Sequence, residues 1–279
     1  MSQASDPELP VLITFPPSLD SELSRFLVTH YGVEHVEKRH TMIFCFFSTL
    51  RHGNTLIFPL LYGKSLKLVA PRPISEYFDA RCAPGLVLWP KDEALKNQVE
   101  TDWNTFNNTL AWATADFAYY YLLPHRDIMI RPLSEGTPEI EQKAVTRFYP
   151  VFAGLLKLLL RLSRQRAQAS VESIRTIFDG VEARLKSGAR YLVGNRLTIS
   201  DLAFAVAAAP VVLPANYGGP IPAFEQMPAE IQAVVKEMRA RPAGAYALRI
   251  YQEERNKFGS APAPSASTAG QASAAGRGK

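Results

Sequence analysis

The stretch Tyr191-Leu-Val-Gly-Asn-Arg-Leu-Thr-Ile-Ser-Asp-Leu-Ala-Phe-Ala205 decides how the rest of the chain is read. Thr198 and Asp201 stand three residues apart, the spacing of a capping box. In that device a hydroxyl accepts from a helical amide while the acid three positions on reaches back to the cap. Leu197 and Leu202 flank the pair as a hydrophobic staple, and Ala203, Ala205, Ala207 and Ala208 make the helix that follows slim enough to sit centrally in a bundle. The stretch is a folding device and carries no chemistry of its own.

Around it, residues 90–255 read as helix throughout. The pattern predicts a long helix over 91–123, broken by Pro124, with a further break at Arg131-Pro132. Thr137-Pro138-Glu139 starts another, running to about Arg166 with a kink at Pro150. Helices over 171–186, from Thr198, and over 229–239 complete the series. Toward the N-terminus the pattern changes. Val11–Phe15 is a short strand stopped by Pro16-Pro17, and residues 19–31 carry apolar side chains at helical spacing up to Gly32. Further strands are expected over 35–39, 55–61 and 65–68, and a helix over 73–78. The order is strand, helix, strand, helix, strand, strand, helix, a small mixed sheet with helical cover.

Composition narrows the classes. The chain has 279 residues, 47% of them hydrophobic and 20% charged, so it can bury a core and is not disordered as a whole. Two cysteines, Cys45 and Cys82, exclude a disulfide scaffold and leave no CxxC. The net charge of +5 includes Arg277 and Lys279 at the end, so the rest is near +3 and argues against nucleic acid. The opening residues carry no secretory pattern, which points to the cytoplasm, and no apolar run is long enough for membrane insertion. Gly259–Lys279 holds no aromatic or branched aliphatic residue and is expected to be a disordered tail. The five histidines show no metal-ligand spacing, so no metal is expected.

The motif at 191–205 resembles the start of the buried sixth helix of glutathione transferases, and Phe178–Leu185 resembles the helix leading into it. The resemblance covers about residues 10–255. It implies an α/β thioredoxin-like domain followed by an all-α helical domain, the glutathione transferase fold. The division expected is a flexible start at 1–9, the thioredoxin-like domain at 10–82, a linker at 83–89, the helical domain at 90–258 and the tail at 259–279. It also implies glutathione as co-substrate, an apolar electrophile as second substrate and a homodimer.

Site residues follow from the same resemblance. Phe58-Pro59 precedes a strand as the family's cis-proline does, and the backbone of Phe58 would pair with the cysteinyl part of glutathione. Ser18, counted back from Gly32, falls where the serine-using classes keep their catalytic hydroxyl, with Ser21 as the other candidate. The cysteine-using position falls on Asp20. Lowering a thiol pKa by ~2 units requires about 2.7 kcal/mol of preference for the thiolate, which a hydroxyl and a helix N-terminus can supply together. The sequence departs from the family at Ala70 and Pro71, which stand where an acid and a serine hold the γ-glutamyl group. Ala70 cannot bind the ammonium, and Pro71 has neither hydroxyl nor amide. Arg72, the adjacent charge, is the candidate substitute for binding the γ-glutamyl group of glutathione. The function expected is a glutathione transferase-like protein that conjugates or otherwise uses glutathione. The alternative is a non-catalytic relative of the same fold that has lost ordinary glutathione binding.

Overall fold

The computed structural model describes residues 9–255, so all but Leu9 of the expected flexible start, and the tail from Gly259, fall outside the described residues. Four short strands form one sheet: β1 (Val11–Thr14), β2 (Val36–Arg39), β3 (Leu60–Gly63) and β4 (Leu66–Val69), in the order β2-β1-β3-β4. β1 runs parallel to β2 and antiparallel to β3, with Leu12 opposite Leu61 and Ile13 opposite Leu60. All four residues of β1 are buried. Successive side chains alternate between faces, so both faces of this central strand are covered. α1 (Leu19–His30) packs with α3 (Pro71–Asp79), while α2 (Met42–Gly53) lies on β1 and β3.

The third strand starts at Leu60 rather than at 55, directly after the cis Phe58-Pro59 step. The remaining residues are helical. α4 (Glu93–Trp103) is capped by the Asp92 carboxylate, which accepts from the Leu95 amide. It continues through a π-helical turn at Asn104–Leu110 into α5 (Ala111–Leu122), so the expected long helix carries a bulge midway. α6 (Arg126–Ser134) runs through Pro132, where a break was expected.

The expected kinked helix over 139–166 is two helices, α7 (Glu139–Arg147) and α8 (Tyr149–Leu159). Pro150 lies in the first turn of α8, where its missing N–H is no loss. The carbonyl of Thr146, which lies four residues before it, accepts instead from Arg126 at 3.1 Å. α9 (Arg164–Leu185) is continuous where the sequence suggests two segments, and Ser163 caps it by accepting from the Arg166 amide. α10 (Ile199–Val212), α11 (Ala229–Ala240) and α12 (Pro242–Glu254) finish the described chain. α12 lies within the stretch read as helix throughout, but the sequence reading assigns no separate helix there. Its opening Pro-Ala-Gly does not look helical, yet a Cβ on Gly244 would lie 1.9 Å from the Met238 carbonyl oxygen, so only glycine allows the tight turn from α11.

α10 is the centre of the helical region, touching α1, α4, α5, α11 and α12. Asp201 organises its start. Its carboxylate accepts from the amides of Thr198 (2.7 Å) and Leu192 (2.8 Å) and from the hydroxyls of Thr198 (3.1 Å) and Tyr246 on α12. The capping box therefore also ties the 191–193 loop and a second helix to α10.

Candidate functional site

The C-terminal end of β1, the start of β3 and the end of β4 lie at one end of the sheet, because β3 runs antiparallel to both neighbours. This brings three segments together. The first is the turn Phe15-Pro16-Pro17-Ser18. Ser18 is the N-cap of α1, its hydroxyl accepting from the Ser21 amide at 3.3 Å, and the Ser18 amide donates to the Phe15 carbonyl at 3.1 Å. Ser21 is fully buried and accepts from the Phe15 amide at 3.2 Å, which ties the strand end to the helix. Of the two serines, only Ser18 is partly open to solvent.

The second segment is the cis Phe58-Pro59 step. The Phe58 ring packs against Phe15 and Phe46, and its backbone makes no hydrogen bond among the described residues. The third segment is Ala70-Pro71-Arg72, held beside the second because the Ala70 amide donates to the Pro59 carbonyl at 2.9 Å. Ala70 has φ 70° and ψ 165°, a region that L residues rarely adopt and that costs of the order of 1–3 kcal/mol. Pro71 follows as the first residue of α3, so no amide there is available to a carboxylate.

Arg72 points to the helical region. Its guanidinium grips Glu100 of α4 through two bonds of 2.8 and 2.6 Å, meets Glu76 at 2.7 Å, and lies 4.9 Å from the centroid of the Trp89 ring. The carboxylate of Glu100 is held below its ordinary pKa chiefly by that hydrogen bond. Arg72 is thus a brace between α3 and α4.

Of the acids near this turn, Glu22 and Glu37 have cationic partners and Asp20 has none among the described residues. Glu22 is fully buried, accepts from the Gly218 amide at 3.0 Å and meets Arg25 and Arg255. Glu37 accepts from Thr14, Arg25 and Arg39. Burial alone would raise its carboxyl, but Arg25 and Arg39 outweigh that and bring it down to about 2. Asp20 has no hydrogen-bond or ion-pair partner among the described residues, and burial pushes its carboxyl up to about 6.

A strap after α10 covers the turn. Arg39 donates to the Gly218 carbonyl at 2.8 Å, Arg25 donates to the Pro16 carbonyl at 3.3 Å, and the Tyr217 hydroxyl lies 3.5 Å from the Pro17 carbonyl. A Cβ on Gly219 would fall 2.3 Å from the Pro16 oxygen, so the close crossing requires glycine. Sequence reasoning misses this strap. Gly218-Gly219-Pro220 is legible as a turn, but its partners lie about two hundred residues earlier.

The aromatics of the long helix divide. Trp103, Phe106 and Phe117 are core, Tyr119, Tyr120 and Tyr121 are partly buried, and Trp112 is exposed. His40 meets Glu141 at 2.7 Å and His52 stacks on Tyr62. Among the described residues no cluster of His, Cys, Asp or Glu is arranged to hold a metal.

Residues 128–242 match the family model for the glutathione S-transferase C-terminal domain. No curated protein matches the chain in sequence. Among solved structures, a glutathione S-transferase from Sinorhizobium meliloti superposes with a TM-score of 0.53 at 16% identity, over 87% of this chain and 93% of that one. One from Rhodospirillum rubrum gives 0.55 at 15% identity, over 86% and 92% of the two chains. A glutathione transferase from Pseudomonas putida, solved with glutathione disulfide bound, gives 0.51 at 14% identity over 88% and 94%. At these identities the likeness is one of fold.

Proposed function

We propose that this chain, which belongs to the glutathione S-transferase superfamily by the C-terminal domain it carries and the fold it shares, is a ligand-binding relative rather than an ordinary conjugating enzyme. In this reading the cysteinyl half of the glutathione site is kept and the γ-glutamyl half is lost. The observation that carries it is the state of the third segment. Pro71 has no amide to offer, Ala70 has no acid, and both terminal nitrogens of Arg72 are held by Glu100. Two or three polar contacts worth roughly 0.5–3 kcal/mol each are missing from a site of this kind. Phe58 supports the kept half, because its free backbone amide and carbonyl are what an extended cysteinyl unit pairs with.

A second reading, conjugation with an apolar electrophile, is favoured by Ser18. Among the described residues its hydroxyl accepts one long bond, which leaves its proton to be donated to a thiolate at the N-terminus of α1. Asp20, in the same turn, opposes it whenever ionised, because a carboxylate disfavours a nearby thiolate. The reading carries with it the division into a thioredoxin-like domain at 10–82 and a helical domain at 90–258. It also makes the protein a cytoplasmic homodimer, in which exposed Phe47, Leu50, Leu56 and Ile57 would be covered.

Calorimetric titration with glutathione separates the readings. A dissociation constant on the order of millimolar is expected for the natural chain. Ala70→Glu with Pro71→Ser should tighten it at least about tenfold. If the natural chain binds at micromolar glutathione, the γ-glutamyl group is held by another route and the ligand-binding reading falls. In the restored protein, loss of thiolate absorbance on Ser18→Ala with little change in affinity would instead favour conjugation.

A further inference from the structure

Helix α8 (Tyr149–Leu159) is apolar over most of its surface but covered on one side only. Tyr149, Phe152 and Leu156 are buried, and its main neighbour is α7. Phe148, Val151, Leu155, Leu158 and Leu159 follow at spacings of three, four, three and one, so they form a second stripe beside the buried one. Leu155 is partly exposed and the other four are open, Val151 at 65% and Leu158 at 73%. Contiguous apolar patches of this kind on a soluble surface mark a place where something docks.

Within the sequence interval that holds the stripe the charges are of one sign. Between Glu141 and Glu172 there is no acidic residue, while Lys143, Arg147, Lys157, Arg161, Arg164 and Arg166 fall in the same interval. Lys143 pairs with Glu139 and Arg166 with Asp116. Arg147, Lys157, Arg161 and Arg164 are exposed and have no ion pair among the described residues. Arg147 precedes α8, Lys157 lies on it, and Arg161 and Arg164 follow its end, so the cations border the stripe along its length.

We propose that α8 and its basic borders form a docking face for an anionic membrane surface. An apolar stripe flanked by long cationic side chains is the arrangement that sinks side chains into the acyl boundary while ammonium and guanidinium groups stay at the headgroups. The contact lies on the membrane rather than across it, since no helix of the described residues is long and apolar enough to span one. A second copy of the chain fits this face less well. A two-fold contact sets the same patch against itself, and here that would oppose cations to cations with no acid within the interval. An anionic lipid surface supplies the missing charge at every point of the border.

The test is co-sedimentation of the full chain with vesicles of phosphatidylcholine alone and of phosphatidylcholine with phosphatidylserine. Binding is expected to be at least about tenfold stronger on the anionic vesicles and to weaken with salt. Lys157→Gln and Arg161→Gln should each weaken it about fivefold. Val151→Ser with Leu158→Ser should weaken it at least about tenfold, with the melting temperature near that of the natural chain because both positions are exposed. If that double variant melts early, the two Gln variants alone decide. Equal partition on both vesicle types, no partition, or no effect of the apolar substitutions would overturn the proposal. Self-association in sedimentation velocity that the same substitutions abolish, without vesicle binding, would assign the face to a second copy.

Discussion

Helices α10 and α8 have much in common as sequence. Each is short, apolar on nearly every face, and contains a proline. In the folded chain they part. Every residue of α10 except Pro210 is buried, whereas α8 leaves Val151, Leu158 and Leu159 open. The difference lies in side-chain size and in neighbours. The alanines of α10 let several helices approach it closely, and Asp201 anchors its start to α12 and to the 191–193 loop. α8 has α7 as its main neighbour, and among the described residues no carboxylate hub ties its end to the core. Apolar composition makes burial favourable, but packing from both sides is what achieves it.

Substitutions that treat the two helices alike should separate them. The largest effect belongs to Asp201→Ala, which leaves the Thr198 and Leu192 amides and the Tyr246 hydroxyl without their acceptor. About 3–5 kcal/mol of stability should be lost, read from urea titration. A loss below about 1 kcal/mol would mean that the hub is not the anchor of α10. Next is Ala208→Leu, which inserts three carbons at a fully buried position and should cost about 1–3 kcal/mol by overpacking. A neutral result would show that the centre of the bundle has room.

Thr198→Ala removes only a hydroxyl from the cap, and about 0.5–2 kcal/mol should follow in the same titration. Its cost should stay below that of Asp201→Ala, since the carboxylate makes the longer-range ties. The smallest and opposite effect is expected at Gly154→Ala in α8. An added Cβ there meets nothing within 4 Å, so helix propensity alone acts and stabilises by about 0.5–1 kcal/mol. If Gly154→Ala destabilises instead, α8 is packed on its outer side as well, and its contrast with α10 disappears.

Parts of this architecture are plain in the sequence because they depend on local rules. The capping box at Thr198 and Asp201, the cap at Ser18 and the strand Val11–Thr14 are each set by a few neighbouring residues. Pro150 shows where local reading fails. Proline opens one helix as readily as it kinks another, and here it opens α8 while the Thr146 carbonyl accepts from Arg126. α12 was hidden because its glycine, a helix breaker by propensity, is there for a contact with Met238.

The candidate site divides in the same way. The residues at Ser18, Phe58-Pro59 and Ala70-Pro71, and the absence of an acid and an amide in the last pair, are matters of residue type. They are determined by the sequence alone. What Arg72 does is not, because an arginine two residues from a lost carboxylate contact could serve a ligand or a neighbour equally well. Only the approach of α4, which sets Glu100 within 2.6 Å of its guanidinium, made it a brace. The strap over Pro16 and the partnerless Asp20 were likewise decided by segments that meet across two hundred residues or by burial itself. Residue identity specifies which bonds a group is able to make. Which of them it makes depends on what the fold brings within reach, and that is a property of the tertiary structure.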